Sequence, residues 1–271
     1  MYKMIALDMD GTLLNSQKKI SRATLEAINK AFSAGKEVVL CTGRCIPELE
    51  EYIEQINDLR YIIGISGALV YDLKEKKEIY MNKIPENQVD IIFDAIKGVD
   101  VLPHILSEKS LVQRDMMENM EHYGMGAYKP LFERVATPVE NIVEYYRENK
   151  VDVLKLNLYH ALQENREETR KKLEKENLVL VNAEKASLEV SAAGTTKGTG
   201  LGRLCEHLGM DLSEVISVGD ADNDLDVLSK AGLAIAMGNA NDNVKKICDV
   251  VVSDCDHDGC GEAIEKYLLE E

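Results

Sequence analysis

Within the first 65 residues, three short apolar runs alternate with two segments of helical period. The runs at 3–7, 37–41 and 61–65 read as buried strands. Residues 21–34, capped by Ser21 and stopped by Gly35, and residues 47–57 read as amphipathic helices. Strands separated by whole helices cannot pair as tight hairpins, whereas crossover helices suit parallel neighbours. The pattern therefore predicts a parallel sheet with helices on its faces.

A hairpin is expected next, with strands at 68–71 and 78–81 around a charged turn. After Pro85 the chain changes character. Helices are predicted at 86–97, 138–148 and 163–176, and strands at 101–106, 110–113, 153–159 and 178–182. From about Ser187 the alternation returns, with helices at 197–207, 223–230, 241–247 and 262–269 and strands at 215–218, 233–237 and 250–252. The simplest architecture is a doubly wound, mostly parallel, Rossmann-like α/β core in two pieces, 1–83 and 188–271. A smaller α+β domain, 84–187, is inserted between them.

The chain has 271 residues, 45% of them hydrophobic, enough for a sizeable core. No apolar run approaches the roughly 18 residues a membrane helix needs. The first run leads straight into Asp8 and Asp10, unlike a signal peptide. The expectation is a soluble, cytoplasmic protein without a membrane partner. A net charge of −16 argues against nucleic acid as a partner. It also sets a requirement: an anionic substrate would need a local cation or a metal. The six cysteines include no Cys-x-x-Cys pair and are expected as free thiols. His257 lies between Cys255 and Cys260, but that spacing matches no standard zinc pattern.

Four short motifs follow core strands or open a nearby helix. Asp8-Met9-Asp10-Gly11-Thr12 puts two carboxylates at one strand end, where sites form in open α/β sheets. One carboxylate can be a nucleophile and the other can pass a proton to a leaving group and take one from water. Thr42-Gly43 offers a hydroxyl and backbone N–H groups suited to a phosphate oxygen. Lys197, after Gly194-Thr195-Thr196, can offset phosphate charge. Gly219-Asp220-Ala221-Asp222-Asn223-Asp224 follows a run of valine and isoleucine and looks like an oxygen-rich magnesium site. Each motif alone has a bland explanation as a turn, a cap or a surface charge. Together they supply the inventory that phosphoryl transfer needs.

In that order the four motifs resemble the signature of the haloacid dehalogenase superfamily, and most closely its Cof-type sugar-phosphate phosphatases. The chain length, the insert and the stretch from Ala231 to Ala240 point the same way. The resemblance implies that Asp8 becomes an aspartyl-phosphate and that Asp10 is general acid and then base. It implies that Thr42, Gly43, Lys197 and Asn223 hold the phosphoryl group. Asp8, the Asp10 backbone carbonyl and Asp220 would bind Mg2+, with Asp224 supporting that site. The implied substrate is a small phosphorylated metabolite, and the insert would be a cap. The chain departs from the pattern at Ser66-Gly67-Ala68, where relatives commonly have Asn-Gly-Ala. It departs again at Asp254-Cys255, where they often have an asparagine.

In the predicted strand 153–159, Leu154, Leu156 and Leu158 share one face, and Lys155, Asn157 and Tyr159 the other. The polar face reads either as solvent-facing or as substrate-facing. Two further functions fit parts of the pattern. A phosphomutase or phosphotransferase would use the same motifs with a sugar hydroxyl as acceptor. A non-catalytic phosphate-binding module would share the doubly wound sheet but has no need of the paired Asp8 and Asp10.

Overall fold

The computed structural model describes residues 1–183 and 185–270; Glu184, inside the expected insert, and Glu271 lie outside the described residues. The strands in chain order are β1 (Met4–Leu7), β2 (Glu37–Cys41), β3 (Tyr61–Gly64), β4 (Leu69–Asp72), β5 (Lys77–Met81), β6 (Val101–Leu106) and β7 (Ser110–Gln113). They continue with β8 (Ala136–Val139), β9 (Lys155–His160), β10 (Leu178–Ala183), β11 (Ser187–Ala192), β12 (Val215–Gly219), β13 (Leu233–Ala236) and β14 (Val250–Val251). Two compact units hold them. The first comprises Met1–Arg44, Glu50–Met81 and Thr196–Glu271, and the second Cys45–Leu49 and Asn82–Thr195.

The first unit is built on an eight-stranded sheet in the order β14-β13-β12-β1-β2-β3-β4-β5. The strands from β14 to β3 are parallel, and the hairpin β4–β5 adds an antiparallel edge. Every residue of β1 is fully buried, as a strand covered on both faces must be. This is why its sequence is a continuous apolar run without alternation. From β1 the chain runs outward to β2 on one side, while β12 returns on the other. The strand order therefore reverses beside β1, which is where open α/β sheets leave a crevice. The helix Arg22–Ser33 starts as expected: the Ser21 side chain accepts the Thr24 N–H at 3.1 Å.

The second unit is a six-stranded sheet, β10-β11-β9-β6-β7-β8, antiparallel except for the pair β7–β8. Ile105, Leu111, Leu156, Leu158, Leu188 and Val190 form its apolar face. They pack on the helices Glu86–Ala95, Ile142–Asn149 and Gln163–Leu173. On the other face, Asn157 stands between His104 of β6 and Glu189 of β11. That face is not a solvent surface. Lys155 is only 1% exposed and Asn157 7%. Met120 and Phe132 pack beside Tyr159 on the same side.

Two expected helices differ. The helix over 47–57 shrinks to a 3-10 turn, Ile46–Leu49, and one α-turn, Glu50–Ile53. There the Glu48 carboxylate reaches back to accept the Cys45 N–H at 3.3 Å, a capping-box type of contact at the start of the 3-10 turn. The helix over 138–148 begins only at Ile142, where Asn141 accepts the N–H groups of Val143 and Glu144. Residues before it form β8, an edge strand that tolerates Pro138. Finally, β11 was not expected. Its sequence Ser-Leu-Glu-Val-Ser-Ala alternates with a period of two, and both β9 and β10 pair with it.

Candidate active site

Asp8 directly follows β1, and its N–H donates to the Val218 carbonyl at 3.1 Å, extending the β1–β12 ladder by one residue. The chain then turns sharply, with Leu14 N–H donating to Met9 O at 2.8 Å. Gly11 has φ +87°, and a Cβ there would lie 2.5 Å from an Asp220 carboxylate oxygen. Both facts require glycine. Thr12 Oγ1 donates to Asp220 Oδ1 at 2.8 Å, so the loops after β1 and β12 are tied together.

Asp224 is fully buried and uses both oxygens. Oδ2 accepts the N–H groups of Asp220 and Ala221 at 3.0 and 3.2 Å, and Oδ1 accepts from Lys197 at 2.7 Å. A Cβ on Gly219 would collide with that carboxylate at 2.6 Å. Lys197 opens the helix Lys197–Leu208, whose first turn is capped by Thr196. Gly67 packs so closely under this helix start that a Cβ would lie 2.0 Å from the Thr196 carbonyl.

Lys197 Nζ donates to Asp8 Oδ1 as well as to Asp224. Burial works against its charge, but Asp224 and Asp8 outweigh that and hold its pKa well above the ordinary value. Lys197 is therefore a buried ammonium. The Asp8 pKa is raised as well, up to about 7. Burial is the main cause; Lys197 opposes it and Asp224 adds to it. Asp220 is also raised, mainly by burial and against the Thr12 hydrogen bond.

Carboxylate oxygens of Asp8, Asp220 and Asp224 all lie within 4.8 Å of one another. Three acids therefore share a small volume with one ammonium. A divalent cation of the oxygen-binding kind fits this donor set, and it would favour the anionic form of Asp8. Asp224 accepts three hydrogen bonds, against one side-chain bond each for Asp8 and Asp220, so the latter two carboxylates are the more open to a cation. The Asp10 carboxylate is not part of the group; its expected contribution was through the backbone carbonyl.

The Asp10 carboxylate is held by two cations. Arg44 Nε donates to Oδ2 at 2.9 Å and Nη2 to Oδ1 at 2.8 Å, while Lys18 Nζ donates to Oδ1 at 2.8 Å. Burial raises the Asp10 pKa, but Arg44 and then Lys18 outweigh it, and the net shift is downward. Neither cation was among the expected site residues. Arg44 could have been found: it is a basic residue immediately after Thr42-Gly43 in an acidic protein. Lys18 carries no such signal.

Thr42 is buried just beyond β2, its N–H on Ile63 O at 2.8 Å and its Oγ1 accepting the Arg44 N–H at 3.3 Å. Gly43 is half-buried beside it. Asn223 lies in the 3-10 turn Asp222–Asp224 with an exposed side chain. The fold thus joins Asp8, Asp220, Asp224 and Lys197 directly, and Arg44 links the Thr42 turn to Asp10. All six cysteines are free thiols, and His257 pairs with Asp254. Among the described residues Cys255, His257 and Cys260 form no metal-holding group.

The profile of the haloacid dehalogenase-like hydrolases matches residues 5–264. The chain belongs to that family. Haloacid dehalogenase-like relatives match over nearly the full length. A 5-amino-6-(5-phospho-D-ribitylamino)uracil phosphatase of Bacillus subtilis is 29% identical over 98% of this chain and 96% of its own. A phosphoglycolate phosphatase of Methanobrevibacter smithii is 27% identical over 98% of each. Among solved structures, a haloacid dehalogenase-like hydrolase from B. subtilis superposes with a TM-score of 0.85 at 25% identity, covering 98% of this chain and 99% of that one. A protein from Thermotoga maritima gives 0.84 at 27% identity, covering 98% and 97%. No helix among the described residues of this family member is long and apolar enough to cross a membrane.

Proposed function

We propose that this phosphatase of the haloacid dehalogenase family hydrolyses small phosphate monoesters, sugar phosphates foremost, through an aspartyl-phosphate formed on Asp8, with Mg2+ as its metal. The observation that carries this reading is the buried ammonium of Lys197 clamped between Asp8 and Asp224, with Asp220 alongside. A nucleophilic carboxylate must be held still and its charge balanced before a phosphate dianion can approach, and this arrangement suits both needs. The two relatives that are phosphatases of small phosphate esters support the substrate class.

In this mechanism Thr42, Gly43, Lys197 and Asn223 hold the phosphoryl oxygens. The Asp8 carboxylate attacks phosphorus, the bond to the leaving oxygen breaks, and that oxygen takes a proton from the Asp10 carboxyl. A water molecule then gives a proton to Asp10 and attacks the phosphorus, releasing phosphate and restoring Asp8. The Asp8 and Asp220 carboxylates and the Asp10 carbonyl would hold Mg2+, which would supply charge neutralisation for the phosphoryl group. We place the reaction in the cytoplasm, in keeping with the free thiols.

The test is phosphate release from a panel of sugar phosphates and an aryl phosphate, with Mg2+ or chelator, for wild type and Asp8→Asn. Loss of an essential nucleophile is expected to cost about 10^4-fold or more in turnover. Turnover retained in Asp8→Asn would sink the aspartyl-phosphate mechanism. Phosphate that moves within a hexose phosphate without being released would make the enzyme a mutase.

A further inference from the structure

Asp10 sits in a small scaffold of its own within the first unit. Arg44 presents a two-pronged fork, Nε to Oδ2 and Nη2 to Oδ1, and Lys18 adds a second donor on Oδ1. A carboxylate has about four lone-pair directions. Three are taken here, and the one remaining is on Oδ2. Arg44 is itself anchored at both ends. Its N–H donates to Thr42 Oγ1, its carbonyl accepts the Ile65 N–H at 2.9 Å, and its guanidinium lies 5.5 Å from the ring centroid of Tyr52. The Tyr52 hydroxyl in turn donates to the Lys18 carbonyl at 3.2 Å. Lys18 has φ 58°, a strained left-handed backbone for a non-glycine residue, held by its N–H on the Asn15 carbonyl at 2.9 Å. Arg44, Tyr52 and Lys18 thus close a ring with the Asp10 carboxylate, the Tyr52 link running through the Lys18 backbone carbonyl.

We infer that Arg44 is a positioning residue for Asp10, fixing the orientation of its carboxylate and leaving Oδ2 as the oxygen with an open lone pair. This rests on the reading of Asp10 as proton carrier given above. On that reading the Asp10 carboxyl gives a proton to the leaving oxygen as the P–O bond breaks and later takes one from the water that attacks the phosphoryl-Asp8. A bidentate fork fixes direction as well as distance, which a single charge does not. Misplacement of a catalytic group by about 1 Å can cost 10²-fold.

The leaving group makes this testable. p-Nitrophenolate departs without help from an acid, whereas the alkoxide of glycerol phosphate does not. Rapid-quench kinetics with Mg2+ would compare wild type, Arg44→Ala and Arg44→Lys on both esters. For Arg44→Ala the expected result is a burst of about one p-nitrophenolate per site at close to the wild-type rate. Phosphoenzyme then accumulates, and steady-state turnover falls about 10²-fold. Glycerol phosphate turnover falls by a similar factor without a burst, and inhibition by inorganic phosphate changes less than threefold. Arg44→Lys keeps charge without the fork and should show the same pattern with a smaller loss, which carries the test if the alanine variant does not fold. Equal losses on both esters with no burst would overturn the inference. So would an intact burst with phosphate inhibition weakened tenfold, which would make Arg44 a phosphate ligand. Wild-type turnover that survives Asp8→Asn would overturn both this inference and the reading beneath it.

Discussion

In the first unit the acids of the candidate site stand where strands stop; in the second a row of buried polar residues stands along the strands. Asp8 follows β1, Thr42 follows β2 and Asp220 follows β12, and because these strands run parallel their ends fall along one edge of the sheet. At a strand end the backbone is no longer committed to a ladder, so its N–H groups can serve side chains. Asp224 accepts two of them. Within β9 and its neighbours the backbone is consumed by pairing on both sides, and the side chains must satisfy one another. Lys155 reaches Glu189 at 3.1 Å, His104 Nε2 bonds Ser110 Oγ at 2.7 Å, and Asn157 Nδ2 donates to the Tyr159 hydroxyl at 3.1 Å. Asn157 Oδ1 is left buried without a hydrogen-bond partner among the described residues. Strand ends can complete a polar cluster with backbone; a sheet face cannot, and it leaves an acceptor over.

The contrast is best attacked at its charged centre. Lys197→Met would leave Asp8 and Asp224 buried without their common cation. Removing one partner of a buried pair costs about 3–5 kcal/mol, and a loss of that size is expected in urea unfolding at neutral pH in chelator. A loss below about 1 kcal/mol would mean that the strand-end cluster does not depend on its ammonium.

In the second unit the next-largest effect belongs to His104. Burial, helped by the charge of Lys155, pushes its pKa down from 6.5 to about 3, with the Glu48 carboxylate 3.8 Å away. The folded protein holds His104 neutral, whereas the unfolded chain takes up a proton near its ordinary value. This contribution is complete above about pH 6.5 and is lost as pH falls towards 3, at about 1.4 kcal/mol per pH unit. The stability gap between pH 7 and pH 5 should be smaller in His104→Gln than in wild type. Equal gaps in the two proteins would show that His104 is solvated.

Asn157→Leu is expected to have the smallest effect. It removes an acceptor that has no partner along with one hydrogen bond, so stability should change by less than about 1 kcal/mol in either direction. A loss above 2 kcal/mol would show that Oδ1 is satisfied after all, and the difference between strand end and sheet face would close.

The same contrast explains which parts were legible in the sequence. The doubly wound order could be read because parallel strands covered on both faces are continuous apolar runs, and three of the four motifs follow one directly, while the Lys197 motif opens a helix. The Asp8, Lys197, Asp220 and Asp224 group could be assembled because their positions follow from connectivity. The Arg44 and Lys18 grip on Asp10 could not, since it depends on two side chains folding back across loops. In the second unit, β11 carried a period-two signal that a nearby change of domain obscured. Tyr159 is buried against Met120 and Phe132, which come from segments whose short helices were not expected.

The central strand β1 has its two partners at very different distances along the chain: Met4 lies opposite Glu37 and opposite Val215. On the ribosome, β2 emerges soon after β1, but one edge of β1 stays open until β12 appears. At about 5–20 residues per second, roughly 7 to 27 seconds of synthesis separate β5 from β12. All of the second unit except Cys45–Leu49 is made in that interval. The nascent chain therefore finishes the later-started unit first, and the half-built parallel sheet, which starts first and closes last, is the part most in need of a chaperone.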